Sequence, residues 1–189
     1  MYRGLSHAAW GYFLLHIDFN LGTVSILPKF VGYLLLLSAI GKLSGERRDL
    51  ALLRPLCILL AVWNGVDWLF SWMGADPDKL CPPLNIVISV AWLYFHFQFL
   101  TDMAALAEQY QPEGDNLDQR LISRRTAYIV LTTVAFIILY LPVGRFEEQR
   151  GYAVAALAVV LLVVAVFIMK SMFDLRRCFR ETETEQPDV

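Results

Sequence analysis

Histidines, amides and acids set inside long apolar runs are the first chemistry this chain offers. Asn64, Asp67 and Ser71 fall at i, i+3 and i+7, and therefore share one helix face. Asn85, Ser89, Trp92 and His96 fall at i, i+4, i+7 and i+11, and form a second stripe. Earlier in the chain His16 and Asn20 share a face, with Asp18 turned away toward the side of His7 and Gly11. Ionisable and amide groups at membrane depth are costly and usually face a bundle interior or a wet cavity, where they hydrogen-bond a solute or one another. At a rise of 1.5 Å per residue, Asp67 sits roughly 9 Å inside its helix end, with His16, Asn85 and Ser89 at similar depth. His96 sits deeper, about 20 Å from the same side. The expectation is a polar pocket open to one side, lined by His16, Asn64, Asp67, Asn85 and Ser89, with His96 near its floor and Asp67 meeting His16, Ser89 or Asn85.

Other chemistries lack their patterns. No HxxxH, HxxEH or cysteine pair supplies two metal ligands on one helix, so no metal site is expected, even from His16 with Asp67. GxSxG is absent, and Ser71 and Ser89 have no histidine at matching depth. Neither GxxxxGK[ST] nor GxGxxG occurs, so nucleotide binding has no support, and the residues point to no particular cofactor. The expected protein is non-catalytic. Asn85 and Ser89 also fit ordinary interhelical hydrogen bonds, on the order of 0.6 kcal/mol each. Asp102, four residues after Gln98, reads with Glu108 as part of a solvated surface.

The elements that must position these groups are membrane helices. Of 189 residues 57% are hydrophobic and only 18% charged, and mean hydropathy is +0.50. Charges cluster between long uncharged stretches, whereas a soluble helical protein spreads them along each helix. Spans of about 20 apolar residues are read at Leu5–Leu21, Leu27–Leu43, Leu50–Met73, Pro83–Leu106, Thr126–Val143 and Tyr152–Phe173. This is an all-α, six-span bundle in one domain over residues 1–180, with residues 181–189 as an acidic disordered tail. Residues 1–20 read as a retained span rather than a cleaved leader, since His16, Asp18 and Asn20 interrupt the apolar run. Pro28, Pro55, Pro82 and Pro83 fall at or before first turns, where the missing N–H is not needed. Alternate loops collect twelve Lys and Arg on one side against four on the other, which places both termini in the cytoplasm. Five spans with an interfacial first helix is the alternative.

Net charge is -2, and no basic face with interleaved aromatics suggests nucleic acid. Cys57, Cys81 and Cys178 fall at different depths or sides, against an internal disulfide. Arg176, Arg177 and Arg180 end the last span and would meet anionic lipid. The polar stretch Glu108–Arg125 reads as a cytoplasmic loop of about 18 residues. Two functions follow as expectations. One is a small-solute binding or transport subunit using the outward pocket. The other is a sensor or assembly partner acting through that loop and the C-terminus, with a protein partner or a second copy of itself.

The run Ile26-Leu27-Pro28-Lys29-Phe30-Val31-Gly32-Tyr33, preceded by Gly22, resembles an ILPxFxGY segment of small uncharacterised membrane proteins of Gram-positive bacteria. Lys29 stands where that pattern carries an acidic residue. The resemblance covers the first fifth of the chain and implies a multi-pass protein of a bacterial cytoplasmic membrane, with no activity attached. Independently of it, Gly32 is small enough to let this segment pack closely on the one before. In size and span count the chain is also similar to the substrate-binding membrane subunits of energy-coupling-factor transporters. Gly4 and Ala8 stand in place of their small-residue docking pair.

Overall fold

Apolar runs punctuated by proline, glycine and charge wind into helices whose ends follow that punctuation. The computed structural model describes residues 2–16, 20–21, 24–25, 28–73, 82–140 and 147–185. Helix α1 covers Tyr2–His16 and α2 covers Lys29–Leu43, with a two-residue antiparallel pairing of Asn20–Leu21 (β1) and Val24–Ser25 (β2) between them. Pro28 caps α2, where its fixed φ suits the helix start. The third expected span is two helices, α3 (Arg48–Leu52) and α4 (Arg54–Trp72), broken at Leu53. Pro55 causes the break, because its ring would clash with the carbonyl four residues back in a continuous helix. Then come α5 (Pro82–Tyr110), α6 (Leu117–Tyr140) and α7 (Glu147–Glu185).

Helices α4, α5, α6 and α7 are long and apolar enough to cross a membrane. Helices α1 and α2 have 15 residues each, about 22 Å at the α-helical rise. The helices close into a ring in chain order. Helix α1 packs on α2, α2 on α4, α5 on α6, α6 on α7 and α7 back on α1, while α4 and α5 touch more sparsely. Neighbours run antiparallel, so the bundle has two distinct ends.

The end holding the start of α1 and the end of α7 is densely filled. Leu5, Leu36, Ile40, Leu43, Leu50, Phe99, Met103, Leu121, Met172 and Phe179 are all buried there. Closest approach comes at the α1–α2 crossing, where a Cβ on Gly11 would lie 2.8 Å from the Gly32 carbonyl oxygen. Gly4 and Ala8 are buried on the same face, with Gly4 against Leu43 of α2. The small pair therefore faces inward, and cannot serve as the docking surface that the transporter-subunit resemblance implied. Its packing partner is the neighbouring helix of its own chain.

Consecutive arginines tie α6 to both of its neighbours at this end. Arg124 donates to the Phe167 carbonyl at 2.6 Å and to Ser171 Oγ, both on α7. Arg125 donates to Thr101 Oγ1 of α5 at 2.8 Å and lies 4.6 Å over the Phe97 ring. Asp102 is 2% exposed and accepts from Gln98 Nε2 at 3.1 Å, contrary to its reading as solvated surface. Its helix continues past it to Tyr110, so that face of α5 turns into the bundle rather than into a loop.

The loop expected at Glu108–Arg125 is only residues 111–116. Helix α5 continues through Glu108 and Gln109, which carry no breaker, and α6 starts at Leu117 under a side-chain cap. Gln111 Oε1 accepts from the backbone N–H groups of Leu117 and Asp118, at 2.8 and 3.1 Å. Gly114 takes φ 91, a conformation open to glycine, and lets the chain reverse. Helix α7 runs 39 residues, about 58 Å, nearly twice the thickness of a hydrocarbon core. It includes residues 181–185, which were expected as disordered tail. No proline or glycine occurs between Gly151 and Pro187, so the helix propagates through them. Residues 186–189 lie outside the described residues.

Candidate functional site

At the opposite end the same ring is loosely filled. A cavity of about 400 Å³ opens where α1 ends and α2 and α5 begin. Its lining includes Leu15 and His16 from α1, Lys29 and Tyr33 from α2, and Asn64 from α4. Trp92 comes from α5, Tyr128, Thr132, Ala135 and Phe136 from α6, and Ala158, Leu161 and Leu162 from α7. Six helices reach it, and α6 contributes the stripe i, i+4, i+7, i+8 beginning at Tyr128.

Under the cavity lies a cluster of aromatic and imidazole rings. The His16 ring stacks on Tyr12 with centroids 4.4 Å apart, and lies 5.4 Å from Tyr128 and 5.9 Å from His96. His96 in turn is 4.2 Å from Trp92, 5.9 Å from Tyr128 and 5.7 Å from Tyr12. Helices α1, α5 and α6 thus converge on one point.

Hydrogen bonds fix the imidazole tautomers. His16 Nδ1 is 2.8 Å from the Tyr12 carbonyl oxygen, and His96 Nδ1 is 2.9 Å from that of Trp92. A carbonyl only accepts, so both Nδ1 atoms carry the proton, and in the neutral ring Nε2 presents a lone pair. His16 Nε2 accepts from the Tyr128 hydroxyl at 2.6 Å. Among the described residues, His96 Nε2, Tyr12 Oη and Thr132 Oγ1 are buried with no partner in good hydrogen-bonding geometry, although both hydroxyls lie within reach of Tyr128. Those atoms are unsatisfied polar capacity within an apolar bundle, which is costly unless something fills it.

Two of the expected pocket residues, His16 and Asn64, line the cavity, and His96 lies beneath it at 0% exposure. Asp67, Asn85 and Ser89 are not part of the lining. Asp67 is exposed on α4, while Asn85 and Ser89 are half-buried on α5. The expected meeting of Asp67 with His16 does not form, because α1 is flanked by α2 and α7. His16 meets His96 and Tyr128 instead. The α4 stripe also bonds within its own helix. Asn64 Nδ2 donates to its own helix at the Leu60 carbonyl (2.8 Å), and Ser71 Oγ to that of Trp68 (2.7 Å). Asp18 lies outside the described residues, as does the side chain of Asn20.

Sequence reasoning missed Tyr12, Tyr33, Tyr128 and Thr132. Tyrosine ranks as apolar in a search for polar groups, and α6 was read only as a span. The available signal was the Tyr128–Thr132–Ala135–Phe136 face. Among the described residues no group of three or more His, Cys, Asp or Glu could hold a metal ion. Cys57 and Cys178 are buried, and Cys81 lies outside the described residues. No protein-family model, curated protein or solved structure matches this chain. The site must therefore be read from its own chemistry.

Proposed function

We propose that this protein is a six-span protein of a bacterial cytoplasmic membrane that binds a small solute, as a receptor or transport subunit, in an outward-facing cavity. The carrying observation is the cavity itself: about 400 Å³, inside the range of roughly 300–1,000 Å³ typical of small-molecule sites. Orientation rests on charge. Lys42, Arg47, Arg48, Arg54, Arg120, Arg124 and Arg125 lie toward the packed end, with Lys170, Arg176, Arg177 and Arg180. An excess of Lys and Arg marks the cytoplasmic side, so the cavity opens outward and both termini lie inside. Ring closure by α1 and α2 supports six crossings over five.

The C-terminal end of α7 supports lipid contact in this reading. Tyr2, Phe173, Arg176, Arg177 and Arg180 enclose a space of about 180 Å³, and Arg176 lies 4.0 Å over the Tyr2 ring. Guanidinium groups at a cytoplasmic surface attract anionic headgroups. The second reading, a sensor or assembly partner, is favoured by one observation only, the length of α7 beyond bilayer thickness. The compact 111–116 connection leaves it less surface than the sequence suggested.

The test is native mass spectrometry of protein extracted gently from its own membrane. Wild type is expected to carry a small-molecule adduct. Ala135→Phe fills the cavity without removing a hydrogen bond, and is expected to lose the adduct while still eluting as a folded species. A bare wild-type chain, or equal adduct on the filled variant, would remove the solute-binding reading.

A further inference from the structure

Resting on the membrane-crossing part of that reading and not on the solute cavity, we propose that the outer groove between α1 and α7 seats one anionic phospholipid of the cytoplasmic leaflet. Its phosphate sits on Arg176, and one acyl chain follows the groove toward the membrane centre.

The head of the seat is the space of about 180 Å³ bounded by Tyr2 of α1 and by Phe173, Arg176, Arg177 and Arg180 of α7. The Arg176 guanidinium lies 4.0 Å over the Tyr2 ring and 6.0 Å from that of Phe173. A guanidinium held on a ring face keeps its N–H edge for an acceptor, and that fork matches two oxygens of a phosphate. Among the described residues the partners of Arg176 are those two rings, and no carboxylate takes the edge. Asp174, on the neighbouring turn, is within electrostatic reach of Arg124 on α6. Arg177 and Arg180 are exposed on the rim and have interactions of their own, so the charge complementarity rests on Arg176. A headgroup ammonium would meet those rim guanidinium groups, and like charges there favour an anionic lipid over a zwitterionic one.

Below the head the same two helices leave an apolar track. Trp10 is 49% exposed, with its ring 6.1 Å from Phe173 and 5.6 Å from Phe13. Beyond them Phe13, Leu162, Val166 and Met169 line a narrow slot between α1 and α7, and no Asp, Glu, Lys or Arg is among its described lining residues. Leu162 and Val166 are exposed, so the slot opens away from the bundle. Length then selects the occupant. Arg176 and Val166 are ten residues apart on one helix, about 15 Å. That is one leaflet's share of a hydrocarbon core of roughly 30 Å. A free phosphate would fill the head and leave the track bare, whereas a phospholipid covers both.

The test is native mass spectrometry of the full chain in detergent, incubated with equal amounts of dioleoylphosphatidylglycerol and dioleoylphosphatidylcholine. Wild type is expected to retain one phosphatidylglycerol per chain, at about tenfold over phosphatidylcholine, the size of one charge-assisted contact. Arg176→Gln should bring the two lipids to parity. Arg176→Lys keeps the charge without the fork and should fall between. Arg48→Gln makes the same charge change at an exposed site of the same end, and should leave number and preference unchanged. Val166→Trp fills the slot and should lower retention of phosphatidylglycerol. Several loosely held lipids without preference, or equal effects of Arg48→Gln and Arg176→Gln, would reduce the seat to diffuse surface attraction and overturn the proposal. Indifference to Val166→Trp, or displacement of the lipid by millimolar glycerol 1-phosphate, would also overturn it, the latter in favour of a free phosphate. Ala135→Phe fills the solute cavity and should keep its phosphatidylglycerol, and loss of the lipid there would place it in that cavity instead. A wild type that retains phosphatidylglycerol but no small-molecule adduct removes the solute-binding reading and leaves this one standing.

Discussion

Replacing Gly32 by alanine should loosen the whole bundle, although alanine is the better helix former. A Cβ built at Gly32 would lie 2.9 Å from the Gly11 carbonyl oxygen, and 2.9 and 3.0 Å from Leu15 Cγ and Cδ2. The leucine can change rotamer, but the backbone oxygen moves only if α1 moves. Overpacking of this kind costs typically ~1–3 kcal/mol. Against it stands a propensity gain of up to ~1 kcal/mol for Gly→Ala in a helix. The net expectation is a loss of about 1 kcal/mol or more. Gly41, on the same helix, supplies the control, because a Cβ there meets nothing within 4 Å. Gly41→Ala should therefore be neutral or stabilising by up to ~1 kcal/mol. Gly11→Ala strikes the same crossing, so the double substitution at Gly11 and Gly32 should cost less than the sum of the singles. Unfolding by sodium dodecyl sulfate titration, followed by circular dichroism in mixed micelles, reads these differences. If Gly32→Ala is as stable as Gly41→Ala, the crossing is not sterically closed and the reasoning fails.

Two other substitutions test the packed end. Arg125→Ala removes a 2.8 Å hydrogen bond to Thr101 and the guanidinium over Phe97, and should destabilise by about 1–2 kcal/mol in the same titration. An unchanged midpoint would reduce Arg125 to a topology signal. Asp102→Asn keeps an acceptor for Gln98 and removes a buried carboxylate whose Oδ2 has no partner among the described residues. It should raise stability by ~1 kcal/mol. A marked loss of stability instead would mean that the charge is needed where it lies.

How much of this was legible in the sequence depends on the kind of signal. Length and hydropathy placed four spanning helices, and the pattern of Pro28, Pro82 and Pro83 placed helix starts. Those are local properties. Helix α3 escaped because Pro55 was taken as a first-turn residue of one long span, when it also breaks the turn before it. The 111–116 connection escaped because polar residues from Glu108 to Arg125 can equally well continue a helix beyond the membrane. At the site, His16, Asn64 and His96 were found by polarity, but their partners were not. Periodicity states which residues share a face of one helix. It does not state which helix that face meets, and the ring order α1–α2–α4–α5–α6–α7 set α4 beside α2 instead of α1. Of the partners expected for Asp67, His16 on α1 therefore lies on a helix that α4 does not flank.

The contrast between the two ends ties stability to function. Gly11, Tyr12, Gly32 and Tyr33 lie where the dense half gives way to the cavity. Each glycine that sets the crossing is followed by a tyrosine buried at the site. Tyr12 stacks on His16, and Tyr33 lies 6.0 Å from Phe95, next to His96. A change in the separation of α1 and α2 must therefore shift the rings that hold the His16–Tyr128 bond. Under the solute-binding function proposed above, retention depends on that separation, while Arg124 and Arg125 fasten the dense half at the other end. On this view Gly32→Ala should weaken solute retention as well as stability. Arg125→Ala, remote from the crossing, should lower stability with much less effect on retention.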